Sequence, residues 1–270
     1  MRPAELFHQH GYALKFGVFA SNEIESMRTA VQHQFTEDES RGLTHRVMNT
    51  SAVSTRGDLL SKGHLRGILL DDRILSMARD LLQSDHLMYF GDSTYQIGTG
   101  ARGFHRDATD REFGKGLDWE PGYNILRLGI YLQDHKNYSG GLKIQDGSHC
   151  QAKGKTIFLD TDAGDVAAWS LKTLHSGNAV RLKWLRGFSI DNSSIENRIP
   201  SFLKMDQQKE RMSLFMTFGA PGKFVEHYIR DYMLRREDVK TNLQSSPYDE
   251  QARQLCQNKG IELIEPLKWL

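Results

Sequence analysis

Residues 124–149 read NILRLGIYLQDHKNYSGGLKIQDGSH. Two apolar runs, ILRLGIYL (125–132) and GLKI (141–144), are separated by Asp, Asn, Ser and Gly and closed by a second Asp-Gly-Ser cluster. Apolar runs of this length between turn-forming residues read as strands. The same texture extends in both directions, through HLMYFGDSTYQIG (86–98), KTIFLD (155–160), GDVAAWS (164–170), LHSGNAVRLK (174–183) and RMSLFMTFG (211–219). Regularly spaced short strands predict a sandwich or barrel over about 86–218.

Helical periodicity lies outside that stretch. After a strand-like GYALKFGVF (11–19), Ile24, Met27, Val31 and Phe35 recur at helical spacing behind a predicted capping box of Asn22 and Glu25. DDRILSMARDLLQ (71–83) predicts a second amphipathic helix capped by Asp71 or Asp72. APGKFVEHYIRDYMLRRED (220–238) predicts another, and DEQARQLCQNKG (249–260) a last one closed by Gly260. Residues 38–68 are polar and aperiodic and read as a long loop. Its basic residues (Arg41, His45, Arg46, Arg56, Lys62, His64, Arg66) suggest a cover that binds a polar or anionic substrate, or simply a solvated surface. The expected plan is one domain, 1–270, mainly β in a jelly roll with flanking helices and an insertion at about 182–210.

Composition narrows the partners. A formal net charge of +1 gives no reason to expect nucleic acid, and no apolar run has the length of a membrane span. Two cysteines, Cys150 and Cys256, in unrelated contexts make neither a disulfide framework nor a zinc pair. The N-terminal residues lack a signal-peptide pattern, so a cytoplasmic location is expected. Oligomeric state leaves no trace in the sequence.

The chemistry centres on RGFHRDATD (102–110). The preceding GTGARG (98–103) spells G-x-G-x-x-G, but neither a helix nor βαβ alternation follows, so it reads as a turn and not as a nucleotide loop. In an extended segment His105 and Asp107 project to one side. Chance supplies roughly one such pair in a chain of this composition, so the pair alone is a weak signal. His175, in LHSGN, adds a second imidazole from another strand. Two histidines and one carboxylate on one face of a metal form the triad that suits non-haem Fe(II) and leaves room for further ligands. A closed zinc site would need a fourth protein ligand.

The pieces HRD, RLGIYLQDHKNYSGGLKIQDGSH, GDVAAWS, LHSGN and RMSLFMTFG, in this order and spacing, resemble the phytanoyl-CoA dioxygenase family of Fe(II)/2-oxoglutarate-dependent oxygenases, from roughly residue 6 to 220. The resemblance implies a double-stranded β-helix (cupin-like) with His105, Asp107 and His175 as iron ligands. It also implies 2-oxoglutarate as co-substrate, O₂, a small-molecule substrate, and hydroxylation of an unactivated C–H bond with release of succinate and CO₂. Halogenating relatives carry a small residue at the carboxylate position, so Asp107 favours hydroxylation. The family pairs an arginine with the far carboxylate of 2-oxoglutarate, a match for a guanidinium fork. Arg211 opens the better strand, Arg186 has the more familiar spacing, and Arg181 is a third choice. Arg127 and Tyr131 share a strand face; if it is the inner one, Arg127 contacts 2-oxoglutarate or substrate. His149 reads as a turn residue and Asn178 as a local hydrogen-bonding one. The competing reading is a non-catalytic or isomerising cupin-like metal-binding protein; a zinc hydrolase is a third.

Overall fold

The computed structural model describes residues 3–47, 52–98, 103–185, 187–245 and 247–270, the side chain of Asn178 excepted. Arg186 and most of GTGARG lie outside the described residues. The strands are β1 (Tyr12–Lys15), β2 (Thr44–Arg46), β3 (Val53–Thr55), β4 (Leu87–Tyr89), β5 (Ser93–Ile97), β6 (Ile125–Tyr131), β7 (Gly141–Gln145), β8 (Thr156–Phe158), β9 (Val166–Ser170), β10 (His175–Ala179), β11 (Met212–Gly219) and β12 (Ile261–Leu263). The helices are α1 (Pro3–His10), α2 (Ser21–Ser40), α3 (Arg66–Leu69), α4 (Asp72–Leu82), α5 (Ser193–Arg198), α6 (Lys223–His227), α7 (Glu237–Ser245) and α8 (Glu250–Asn258).

The larger sheet runs β1-β9-β6-β11-β5-β3-β2, with β4 joined to β11 and β12 parallel to β4; the smaller runs β10-β7-β8. This is the expected double-stranded β-helix. Period-2 alternation sorts the faces. Leu126, Leu128 and Ile130 of β6 and Met212, Leu214, Met216 and Phe218 of β11 enter the main core, which α2 and α4 cover with Ile24, Met27, Val31, Ile74, Leu75, Ala78 and Leu81. Arg127 and Tyr131 of β6 and Arg211 and Phe215 beside β11's odd face turn to the opposite side, towards the smaller sheet. Gly129 leaves room there: a Cβ would lie 3.0 Å from the Trp169 ring.

Several sequence expectations change. The first long helix starts at Ser21, and Glu23 rather than Glu25 reaches back, its Oε2 accepting the Ala20 N–H at 2.8 Å. The second is capped by Asp71, whose side chain accepts from Arg73 N at 2.9 Å. HLMYFGDSTYQIG is two strands, broken at Gly91 (φ 78°), a left-handed conformation favouring glycine. Residues 38–68 are not one loop: β2 and β3 extend the larger sheet beyond β5, and Leu59, Leu60 and Leu65 are fully buried. Sheet pairing supplies order there that no periodic pattern announces. Residues 223–233 begin as α6 and widen to a π-turn over Tyr228–Met233. Among the described residues no helix is long and apolar enough to cross a membrane.

Candidate metal centre

The chain leaves β9 through a turn at 171–174 and enters the smaller sheet as β10. The segment before Asp107 docks on that turn. His105 and His175 exchange backbone hydrogen bonds (N···O 3.0 and 3.1 Å), and Leu171 O accepts the amides of Asp107 and Ala108, both at 3.0 Å. This pairing of segments 70 residues apart in sequence brings the three predicted ligands together. Their ligand atoms all lie within 4.8 Å of one another. His175 Nε2 is 3.3 Å from Asp107 Oδ2, and His105 Nε2 is 3.7 Å from Asp107 Oδ1.

Each imidazole is oriented from behind. His105 Nδ1 donates to Gly103 O at 2.8 Å and His175 Nδ1 to Thr173 O at 3.0 Å, which fixes the tautomer that turns Nε2 towards Asp107. The donor set of two imidazoles and one carboxylate fits a divalent transition ion. Burial alone would raise the Asp107 carboxyl; Arg127, and then the two histidines, hold it well below the usual carboxylate range.

Arg127 is the hub of a buried polar network. Nη1 donates to Asp107 Oδ2 at 2.5 Å, Nη2 to Asp92 Oδ2 at 2.6 Å and Nε to Thr217 Oγ1 at 3.0 Å. Thr217 and Tyr228 hydroxyls also donate to Asp92 Oδ2, at 2.8 and 2.9 Å. Burial works against the Arg127 charge, but Asp107 and Asp92 outweigh it, so the group stays cationic. Arg127 does face inward; its three nitrogens, however, are engaged by protein oxygens. Asp92, Thr217 and Tyr228 were missed in the sequence. Thr217 stands opposite Arg127 in the β6–β11 register, a pairing invisible before the strands are aligned.

Arg211 is the opposite case. It is 3 % exposed, and its Nε donates to Gly140 O at 2.9 Å. Among the described residues it has no carboxylate partner, and burial lowers its pKa. Around it Trp169 Nε1 and Ser213 Oγ are buried without hydrogen-bond partners, and the Tyr131 hydroxyl lies against the guanidinium. Unsatisfied buried polar groups are rare and call for an explanation. Arg181, by contrast, is paired with Asp160. His149 donates from Nε2 to His8 O at 2.9 Å, away from the triad.

A cavity of about 290 Å³ joins these parts, with His105, Asp107, His175, Arg127 and Arg211 in its walls. Of the basic residues in 38–68 only His45 lines it. Lys62 is buried against Asp38 at 2.9 Å, and Arg66 pairs with Asp249 at 2.9 Å.

Solved structures share this architecture at low identity. The α-ketoglutarate-dependent epimerase SnoN from nogalamycin biosynthesis is 17% identical, with 81% of each chain covered and a TM-score of 0.59. HygX from Streptomyces hygroscopicus, solved with nickel and 2-oxoglutarate, is 15% identical, with 81% of this chain and 86% of that chain covered and a TM-score of 0.57. AviO1 from Streptomyces viridochromogenes Tue57 is 15% identical, with 82% and 94% covered and a TM-score of 0.54. No curated protein matches the sequence. The phytanoyl-CoA dioxygenase (PhyH) family model matches residues 7–182, so the chain belongs to the phytanoyl-CoA dioxygenase family.

Proposed function

We propose that the protein is an Fe(II)- and 2-oxoglutarate-dependent oxygenase that hydroxylates a C–H bond of a polar small molecule, releasing succinate and CO₂. The observation that carries this reading is one cavity holding both a two-histidine, one-carboxylate cluster and a buried guanidinium without an anion. His105, Asp107 and His175 would hold the iron, and Arg211 would pair with the distal carboxylate of 2-oxoglutarate. The Tyr131 hydroxyl, which lies against Arg211 in the same cavity, would add a second polar group for that carboxylate. Iron with 2-oxoglutarate supplies O₂ activation; the chain's own residues position the reactants and keep water away.

In this reading Arg127 orients Asp107 rather than touching 2-oxoglutarate. Polar side chains share the cavity lining with apolar ones, among them His45, Ser54, Gln96, Asp238 and Asn242, which suits a substrate with hydrogen-bonding groups. HygX has been solved with hygromycin B bound, a precedent for a polar organic substrate on this architecture. Because SnoN is an epimerase, product analysis must accompany turnover.

The test is succinate formation on adding Fe(II), 2-oxoglutarate and O₂ with a panel of polar metabolites. Substrate-stimulated succinate with an oxygenated product supports the proposal. No succinate under any condition favours the metal-binding cupin reading.

A further inference from the structure

A second set of ligating side chains converges away from the triad: Asp110, Asp118 and His227, whose ligand atoms also lie within 4.8 Å of one another. The two aspartates close the loop that leaves Asp107. Asp118 Oδ2 accepts the Asp110 amide at 2.9 Å, and Asp110 Oδ2 accepts the Asp118 amide at 3.1 Å. Between them Gly116 (φ +89°) approaches so closely that a Cβ would fall 2.2 Å from the Asp110 carboxyl carbon. His227 arrives from the end of α6, with Nε2 3.1 Å from Asp110 Oδ2. Its other nitrogen, Nδ1, is 2.8 Å from Asp231 Oδ2, the arrangement in which a carboxylate orients a ligating imidazole from behind.

One further observation goes beyond the cluster's own hydrogen bonds. Asp118 is fully buried, yet its Oδ1 has no hydrogen-bond partner. Asp110 and Asp118 face His227, Asp231 is already paired with Arg235, and Lys172 is the further cation near Asp118. The site also has an approach, since the His227 and Asp110 side chains are 17% and 24% exposed.

We propose that Asp110, Asp118 and His227 form a second divalent-metal site, separate from the triad, for a borderline ion of the Zn²⁺ or Mn²⁺ kind. An imidazole with two carboxylates suits such ions. The site would tie the loop that follows Asp107 to the π-turn whose Tyr228 and Tyr232 line the reaction cavity. Its role is structural, holding the cavity wall against the segment that carries a triad ligand.

The test is zinc stoichiometry of chelator-stripped protein, by calorimetric titration and elemental analysis after desalting. Wild type is expected to retain two zinc ions per chain. The His105→Ala/His175→Ala variant should retain one, and adding Asp118→Asn should bring it to none. His227→Gln, at a partly exposed position, should by itself lower wild type from two to one. Zinc should raise the melting temperature of the His105→Ala/His175→Ala variant but not of its Asp118→Asn derivative. Retention of no zinc by the His105→Ala/His175→Ala variant, or of an undiminished number by the Asp118→Asn and His227→Gln proteins, would overturn the proposal and leave His227 as an imidazolium between carboxylates. Failure of the triad reading gives a different result: wild type with one zinc, kept by His105→Ala/His175→Ala and lost in Asp118→Asn.

Discussion

Arg127 and Arg211 are both guanidiniums turned into the same cavity, and their surroundings give them different tasks. Arg127 is bound by Asp107 and Asp92, whereas Arg211 meets only the Gly140 carbonyl and the Tyr131 hydroxyl and no carboxylate among the described residues. Arg127→Met is therefore expected to weaken Fe(II) or Co(II) binding by roughly 10–100-fold, the usual effect of losing an orienting partner of a ligand. It also strands Asp107 as a buried charge and Asp92 as a half-buried one, at a cost of about 3–5 kcal/mol in denaturant unfolding. Arg211→Met should leave metal affinity nearly unchanged and raise the KM for 2-oxoglutarate by about tenfold or more, as expected for one charge-assisted contact of about 1.5–3 kcal/mol. Since Arg211 is an uncompensated buried charge without its anion, the same variant should unfold no more readily than wild type. Equal effects of the two variants on metal affinity would contradict this division. The sequence placed both arginines on strands, Arg127 on one face with Tyr131 and Arg211 at the start of the last core strand, but left open whether the Arg127 face is the inner one. It could not say which one finds a carboxylate, because Asp92 comes from the break between β4 and β5 and Thr217 from cross-strand register.

Elements show the same limit. β6, β7, β9, β10 and β11 were legible because their apolar runs are framed by turn residues; His175 opens β10, whereas His105 and Asp107 lie outside any named strand and were read from their spacing alone. β2 and β3 were not, since three-residue strands that gain order by joining a sheet edge carry no periodicity of their own. The segment after β10 is a further case. Within it α5 is fastened to β7 by an ion pair of Lys143 and Glu196 at 2.9 Å, both side chains 1% exposed, and Glu196 also accepts the Val180 amide at 2.8 Å. A lysine inside the run GLKIQ looks like an outward residue until a helix is seen to cover it. Glu196→Ala should cost about 3–5 kcal/mol by leaving Lys143 buried and unpaired, while a Lys143→Met/Glu196→Leu pair should recover most of that loss. Urea midpoints of the three proteins check this; equal midpoints for the single variant and wild type would mean that α5 is not held by the pair.

The molecule as a whole should lose stability in acid, and part of that loss belongs to one buried side chain. His135 is fully enclosed beside Gly141, and burial, with Arg211 and Arg181 adding to it, pushes its pKa down to about 3. Gln133 donates to its Nε2 at 2.9 Å, so the folded state holds the neutral ring. The unfolded chain takes up a proton near the ordinary histidine value of roughly 6.5, the folded one only near 3, so stability declines across that window as pH falls. A His135→Gln variant should show a shallower decline in urea midpoint between about pH 7 and pH 4. The central claim concerns the two sheets together: they exist here to bring His105 and Asp107 against His175. The most direct measurement is anaerobic Fe(II) and 2-oxoglutarate binding, followed by succinate release on admitting O₂, in wild type and in His175→Ala. The account predicts one iron bound through the triad with substrate-stimulated succinate in wild type, and loss of both in His175→Ala while the fold persists. A His175→Ala protein that bound iron at this site and released succinate like wild type would contradict it.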